Sequence, residues 1–216
     1  MRELYVLAEG QTEEAFVGRV LAPHLQAFDL YPTPVLVATK RPAEGGKYGG
    51  GVTSWAQVER EVHQLLGASH AVTVTTMIDL YGLPDDWPGY HNRPSGPPAV
   101  AEHLEAAMAA AVRHPRFLPY LSLHEYEALL FAAPETVASV AGPDVSKRLA
   151  ADVRAAGSPE AVNEGQQTSP SKRLQRYWPG YARLTDGPTI ASRTGLQRLR
   201  SRCTHFGQWL TNLESL

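Results

Sequence analysis

The chain has 216 residues, of which 43% are hydrophobic and 19% charged, a balance typical of a globular domain rather than of a disordered or fibrous protein. Its net charge of −2 divides unevenly: residues 1–140 carry nine Lys and Arg against sixteen Asp and Glu, and residues 141–216 carry eleven against six. A single cysteine, Cys203, excludes an internal disulfide and favours a reducing compartment, so we expect a cytoplasmic protein. Without an apolar run of about 18 residues, membrane insertion is not expected, and the N-terminus lacks the pattern of a secretory signal.

The first part of the chain alternates strand and helix patterns. Residues 4–8 form a short apolar run that stops at Glu9 and Gly10, which is typical of a buried strand followed by a tight turn. A helix is expected next, with Thr12 as its N-cap and apolar residues at helical spacing. The following segments are predicted to be a strand, a glycine-rich surface loop and a helix, at residues 34–39, 41–51 and 54–66.

The central segments continue this alternation. Residues 71–78 form an almost uninterrupted apolar and β-branched run, as in central strands covered on both faces. Prolines and glycines exclude regular structure in residues 80–98. A helix, a fourth strand and the start of another helix are then predicted at residues 98–112, 117–123 and 125–131. This order predicts an α/β fold with a mostly parallel sheet and helices on both faces.

The last part of the chain carries only helical patterns, separated by glycine and proline. We therefore expect an α/β core at residues 1–133 and a basic helical region at residues 134–216 that packs against it. No internal repeat or low-complexity tract is present.

Acidic residues follow three of the four predicted strands. Glu9 ends the first strand, Asp79 ends the third, and Glu125 and Glu127 follow the fourth. Because ligands of open parallel sheets bind beyond the carboxyl ends of the strands, these side chains are expected to converge at one edge. Carboxylate oxygens without a His or Cys grouping favour Mg²⁺ or Mn²⁺ over zinc.

Three further acids are candidate ligands, and every acidic candidate except Glu9 also has a structural interpretation. Glu13 lies one helical turn beyond the first strand, and Asp85 and Asp86 follow the third. Acids in the first turn of a helix, such as Glu13, Glu125 and Glu127, also complement the helix dipole. Asp79, Asp85 and Asp86 lie where aspartate often serves as a turn or cap residue.

Five segments together resemble a known group of proteins. The opening strand, Glu-Gly-x-Thr-Glu sequence and helix resemble the first motif of Toprim domains, the fold shared by topoisomerases, primases and OLD-type nucleases. Within that group the chain closely resembles a bacterial Toprim-like family that is known mainly as a domain of unknown function and is often encoded beside an OLD-like or ABC-like ATPase. The segments that carry this resemblance are VLAEGQTEEAFVGRVLAPHL, TTMIDLYGLPDDWPGY, LSLHEYEALLF, VNEGQQTSPSKRL and CTHFGQWLTNLE.

The resemblance implies roles for individual residues. Glu9 matches the Toprim glutamate that binds metal or acts as a general base, and Glu13 matches a second acid of OLD-type nucleases. Asp79 matches the first aspartate of the Toprim Asp-x-Asp motif. The position of the second aspartate is occupied by Tyr81, so a two-metal site needs another carboxylate, from Asp85, Asp86, Glu125 or Glu127.

These observations lead to one principal functional hypothesis. We expect a Mg²⁺- or Mn²⁺-dependent nuclease for DNA or RNA, with Glu9 and Asp79 as catalytic residues, and the resemblance implies a defence-type operon with a partner ATPase. Basic residues of the C-terminal region are candidates for phosphate contacts, with a solvated helix face as their alternative interpretation. These residues are Lys172, Arg173, Arg176, Arg193, Arg198, Arg200 and Arg202.

Two other functions remain open at this stage. The first is a non-catalytic Toprim-like module that docks to a partner ATPase through exposed Trp87, Tyr90, Trp178 and Tyr181. The alternative interpretation is that aromatic residues at these Pro-Gly-rich corners only pack their own loop. The second is a hydrolase that uses a carboxylate pair, such as a glycosidase, which would not depend on a metal.

Overall fold

The computed structural model describes residues 2–38, 52–162 and 168–216. The glycine-rich loop predicted at residues 41–51 and the last residue of the strand predicted at 34–39 lie outside these ranges. Within them, no helix combines the length and the apolarity that crossing a membrane requires.

A parallel sheet forms the centre of the protein. Its strands are β1 (Arg2–Ala8), β2 (Leu30–Leu36), β3 (Ala71–Asp79), β4 (Phe117–Leu118) and β5 (Leu121–Ser122). They lie in the order β2-β1-β3-β4, β5 also pairs with β3, and every one of these pairings is parallel. The predicted α/β class with a mostly parallel sheet is therefore confirmed.

Helices flank this sheet. They are α1 (Gln11–Phe16), α2 (Ala22–Leu25), α3 (Trp55–Leu66), α4 (Pro97–Val112), α5 (Pro134–Ala141), α6 (Pro143–Ala156), α7 (Pro170–Tyr177), α8 (Arg183–Thr194), α9 (Leu196–Arg202) and α10 (Thr204–Glu214). A π-helical turn, Val17–Leu21, joins α1 to α2, and short 3₁₀ segments lie at Gln26–Phe28, Tyr90–Asn92, Tyr126–Ala132 and Pro159–Ala161.

Each face of the sheet buries its own hydrophobic cluster. Helices α3 and α4 cover one face and contribute Val58 and Met108. The other face packs against α1 and the C-terminal helices, with Phe16, Phe206 and Trp209 in the cluster. At about 1.5–3 kcal/mol for each large apolar side chain removed from water, both clusters stabilise the layered arrangement. The second cluster contains residues from both sides of residue 133, so the C-terminal helices share a core with the sheet.

The second strand differs from its predicted position. It begins at Leu30, four residues before the predicted start, and includes Pro32 and Pro34. Prolines argue against a strand because they cannot donate a ladder hydrogen bond, but they are tolerated on an edge strand. β2 is such an edge strand: among the described residues it pairs in the sheet only with β1.

The predicted fourth strand is divided into two short pieces. Between β4 and β5, the side chain of Thr76 replaces a backbone partner: its Oγ1 accepts a hydrogen bond from Tyr120 N–H (2.9 Å) and donates one to Tyr120 O (2.7 Å). Pro119, which lacks an N–H, lies in the interruption.

The proline- and glycine-rich segment after β3 is anchored although it is mostly irregular. Trp87 is buried and contacts the ring of Trp55 edge-on, with centroids 5.1 Å apart. Gly89 has a φ of 79°, and a Cβ there would lie 2.9 Å from Nε2 of His103 on α4, so both backbone angle and space require glycine. The segment therefore packs closely against α3 and α4.

Candidate functional site

The first two acidic candidates lie side by side at the carboxyl edge of the sheet. Ala8, the last residue of β1, is opposite Met77, two residues before the end of β3, so Glu9 and Asp79 come to the same edge of the sheet. The backbone N–H of Glu9 donates to Met77 O (3.1 Å), and Oε2 of Glu9 accepts a hydrogen bond from the N–H of Asp79 (2.9 Å). The pairing register of two buried strands thus brings together residues 70 positions apart.

The segment after β5 adds two more contacts to this edge. Oδ1 of Asp79 accepts a hydrogen bond from the N–H of Tyr126 (3.1 Å). Oε2 of Glu125 accepts one from the N–H of Ser171 at the start of α7 (2.9 Å). Glu125 therefore ties the acidic edge to the C-terminal helices.

Glu13 is buried on the first turn of α1, with 4% of its surface exposed. Its carboxylate packs close to the backbone of Gly10, where a Cβ would lie 3.2 Å from Oε2. The glycine of the Glu-Gly-x-Thr-Glu sequence thus gives the second glutamate room beside the strand end.

Glu127 is completely buried and forms an ion pair with Arg183, the first residue of α8. Arg183 donates from Nε to Oε1 (2.5 Å) and from Nη2 to Oε2 (2.8 Å). Such a two-point contact holds the guanidinium in a fixed orientation. Arg183 also lines the same cleft as Glu9 and Glu13, where its charge lowers the pKa of both against the larger upward effect of burial.

One open cleft of about 740 Å³ is lined by Arg183 and by four of these acids, Glu9, Glu13, Asp79 and Glu125, but not by Glu127. The described residues that form it come from the ends of β1, β2 and β3, the start of α1, the segment before the Tyr126–Ala132 turn, and the start of α8. They are Glu9, Gly10, Gln11, Thr12, Glu13, Leu36, Val37, Asp79, Tyr81, Glu125, Arg183 and Leu184.

The acids of this cleft raise one another's pKa. Burial, followed by the charges of Glu127 and Glu9, raises the pKa of Glu13 to about 7. Burial and then the charges of Glu13 and Glu9 raise the pKa of Asp79 well above its usual range. The pKa of Glu9 is also raised, chiefly by burial. A raised pKa keeps a carboxyl protonated to higher pH, so these acids resist ionising together when no cation is bound. Ionised together they would carry more negative charge than Arg183 balances, and a bound cation would offset that charge.

The side chains of the cleft provide the oxygen ligands that a hard divalent cation prefers. Glu9, Glu13, Asp79 and Glu125 offer carboxylate oxygens, which Mg²⁺ and Mn²⁺ prefer. Across residues 2–38, 52–162 and 168–216, no group of three or more His, Cys, Asp or Glu side chains is already arranged to hold a metal ion. A bound ion would draw on Glu9 and Asp79, with Glu13 or Glu125 turning towards it.

Two predicted ligands lie elsewhere. Both oxygens of Asp86 accept a hydrogen bond from the N–H of Trp55, at 3.0 and 2.9 Å, so Asp86 caps the N-terminus of α3. Asp85 is exposed and does not line the cleft. The structure thus brings together Glu9, Glu13, Asp79 and Glu125, places Glu127 in an ion pair at their side, and leaves Asp85 and Asp86 apart.

Three of the seven basic candidates are held by internal ion pairs. Arg173 contacts Asp152 (2.8 Å), Arg198 contacts Glu135 (2.8 Å), and Arg200 contacts Glu214 (2.9 Å). The other four are exposed and form no ion pair with any residue that the structure describes. They are Lys172, Arg176, Arg193 and Arg202.

The aromatic residues proposed as an exposed docking surface are not all exposed. Trp87 and Tyr181 are buried, with 2% and 8% of their surface exposed. Trp87 packs in the core between α3 and the sheet, and the hydroxyl of Tyr181 lies 3.5 Å from Glu127. Tyr90 and Trp178 are half-buried. The expectation that all four rings are exposed was wrong, because Trp87 and Tyr181 pack inside the protein.

Sequence reasoning missed Arg183. It lies 56 residues after Glu127 in a helix that shows no local motif, and its only signal was membership of the basic C-terminal region. The contact depends on how α8 packs beside α1, which a single sequence does not reveal.

Comparison with known proteins identifies one family. Its model, described as "Domain of unknown function (DUF4276)", matches residues 8–214 and so includes every candidate residue above. No curated protein and no solved structure matches the chain. Because the match covers nearly the whole length, the chain belongs to the DUF4276 family.

Proposed function

We propose that the protein is a divalent-metal-dependent phosphodiesterase that hydrolyses nucleic acid. The observation that carries this proposal is the cleft at the carboxyl edge of the sheet, where Glu9, Glu13, Asp79 and Glu125 are gathered around a single arginine. A site with such an excess of carboxylates attracts a cation, and the cation in turn allows an anionic phosphate to approach.

Each residue of the cleft has a role in this proposal. Glu9 and Asp79 would hold the ion, which when bound supplies charge neutralisation at the phosphate and a site for the attacking water. Arg183 is fixed by Glu127 and presents its charge to the cleft, where it can hold a phosphate oxygen. Glu13 lies beside Glu9 and can orient water by accepting its hydrogen bond.

The relation to Toprim domains is part of the proposal. Its support is that Glu9, Glu13 and Asp79 occupy one cleft, each at the strand end or helix start that the motif requires. A partner ATPase in a defence-type operon stays a prediction from the resemblance alone.

A hydrolysis assay tests the proposal. Labelled single-stranded and duplex DNA and RNA are incubated with the protein in Mg²⁺, in Mn²⁺ and in EDTA. We expect cleavage only with a divalent ion, and loss of about a hundredfold or more in rate for Glu9→Gln and Asp79→Asn. Asp85→Asn is the matched control, because it makes the same chemical change outside the cleft. Cleavage in EDTA, or wild-type rates in both cleft variants, would contradict the proposal.

Two observations favour a second function. Tyr81 stands where Toprim enzymes carry their second aspartate, and no ready-made group of metal ligands is present in the described part of the chain. A non-catalytic module that docks to a partner ATPase accounts for both. Wild-type protein that fails to cleave any substrate in Mg²⁺ and Mn²⁺, with and without the neighbouring gene product, would support this second function.

A further inference from the structure

Three exposed hydrophobic side chains lie around the acidic cleft. Leu36, Tyr81 and Leu184 all line the cleft, and 38%, 37% and 47% of their surfaces are exposed. They are among the most exposed large hydrophobic side chains of the described residues. Side chains of this kind around a charged floor suit a ligand that is anionic at one end and flat and apolar at the other.

Tyr81 also belongs to a second cleft. This neighbouring cleft, of about 260 Å³, is lined by Tyr81 together with Tyr90 and Arg93 from the anchored segment after β3. The backbone N–H of Tyr81 donates to the carbonyl of His124 (3.1 Å), which fixes the backbone at this residue. The acidic cleft and this second cleft therefore adjoin at one tyrosine.

The second cleft presents a cation on an aromatic ring. The guanidinium carbon of Arg93 lies 3.7 Å from the centroid of the Tyr90 ring. Arg93 is exposed and forms no ion pair with any acid in residues 2–38, 52–162 or 168–216, so its charge is available to an anion. Aromatic rings provide stacking surfaces for the bases of single strands, and a neighbouring arginine adds cation–π and phosphate contacts.

We propose that these two clefts form one groove for single-stranded nucleic acid, with an unpaired base stacked on Tyr81 and the adjoining strand on Tyr90 and Arg93. This inference rests on the proposed function, because the phosphate beside that base would lie over Glu9 and Asp79. In a duplex the faces of the bases are covered by their neighbours, so only an unstacked base can use these exposed side chains. Tyr81 would then serve substrate selection at a position where the resemblance implies a metal ligand.

Binding, measured apart from cleavage, tests the groove. Fluorescence anisotropy is recorded with labelled oligothymidylate and oligouridylate of about ten nucleotides and with a duplex of the same length, in Mg²⁺ and in EDTA. We expect at least one single strand to bind about tenfold more tightly than the duplex in Mg²⁺. A gel of the recovered probe shows that it stayed intact during the measurement.

Substitutions locate the binding. Tyr81→Leu keeps an apolar side chain without a ring and should weaken single-strand binding about tenfold, whereas Tyr81→Phe keeps the ring and should bind like the wild type. Arg93→Gln should weaken binding about threefold or more. Arg154→Gln is the control, because this exposed arginine of α6 lies outside both clefts.

The groove and the phosphodiesterase fail in different ways. Equal or tighter binding of the duplex, unchanged binding by Tyr81→Leu, or no binding of any probe would overturn the groove. Tight single-strand binding that depends on Tyr81, without hydrolysis in any divalent ion, would support the groove and contradict the phosphodiesterase. Hydrolysis of duplex with wild-type rates in Tyr81→Leu would support the phosphodiesterase and contradict the groove.

Discussion

Arg183 and the fully buried carboxylate of Glu127 form a two-point ion pair, with contacts of 2.5 and 2.8 Å. Burial raises the pKa of Glu127, and Arg183 opposes that rise. Because α8 supplies the arginine and the Tyr126–Ala132 turn supplies the acid, this ion pair connects α8 to the segment that follows β5 at the cleft.

Removing the arginine should therefore destabilise the protein. For Arg183→Gln we expect the free energy of unfolding to fall by about 2 kcal/mol, below the full cost of breaking a buried pair because 43% of the arginine side chain is exposed. Adding Glu127→Gln should restore part of the loss, since no unpaired charge is then buried. Urea unfolding of both single variants and the double variant measures this coupling. Additive effects would show that the pair contributes nothing of its own.

The raised pKa of Glu13 predicts how stability depends on pH in EDTA. Its folded pKa of about 7 lies above the ordinary 4.5, so the unfolded chain releases this proton first as pH rises. The metal-free protein should therefore lose stability between about pH 4.5 and pH 7, by on the order of 3 kcal/mol from this group. Glu13→Gln should flatten the slope, while Glu14→Gln, its neighbour outside the cleft, should not.

Thermal unfolding across this pH range measures the effect. A divalent ion should raise the melting temperature more at pH 7 than at pH 5, because the carboxylates bind it only when ionised. If stability in EDTA depends on pH equally in wild type and Glu13→Gln, the pKa of Glu13 is not raised by its surroundings as inferred here.

Two glycines give a matched pair for testing how closely α9 and α10 pack. A Cβ at Gly207 would lie 2.6 Å from the carbonyl oxygen of Arg200, whereas a Cβ at Gly18 would meet nothing within 4 Å. Gly207→Ala should cost about 1–3 kcal/mol because backbone must move. Gly18→Ala should be neutral or stabilise by about 0.5–1 kcal/mol. Thermal unfolding compares them, and similar melting temperatures for the two variants would contradict the close approach.

The basic residues of α7 should differ in whether their replacement affects nucleic-acid binding or stability. Lys172 and Arg176 are exposed, so replacing both with Gln should reduce the slope of log affinity for single strands against log salt by up to about 1.4. Arg173 is held by Asp152 and by the carbonyl of Thr168, so Arg173→Gln should lower stability instead. Anisotropy titrations at several salt concentrations, with urea unfolding of each variant, distinguish the two effects. An unchanged slope in the double variant would assign Lys172 and Arg176 to a solvated helix face.

Much of the sheet could be predicted because buried strands have a simple pattern. β1 is mostly apolar and is followed by Glu9, whereas β3 is an almost uninterrupted apolar and β-branched run that ends at Asp79, and their places in the fold follow from that. β2 was misplaced because Pro32 and Pro34 conceal a strand unless its edge position is known. The break in the fourth strand depends on the side chain of Thr76, which comes from a different strand.

The candidate site was predictable only as far as it lies on the sheet. Strand ends place Glu9 and Asp79 at one edge, and the sequence pattern reveals both ends. Glu127 and Asp86 look equivalent to the other acids in the sequence, but one is paired with Arg183 and the other caps α3. Those assignments depend on helix packing between distant segments, for which the sequence contains no local signal.

The two prolines of β2 have a consequence for assembly. Their spacing of two places both nitrogens on the same side of the strand, and the unbroken pairing of β1 from Arg2 to Ala8 requires that side to face away from the sheet. The outer edge of β2 thus lacks two of the donors that an incoming strand would need. Extension of the sheet by a second copy, or by an extended peptide, is therefore disfavoured along this edge.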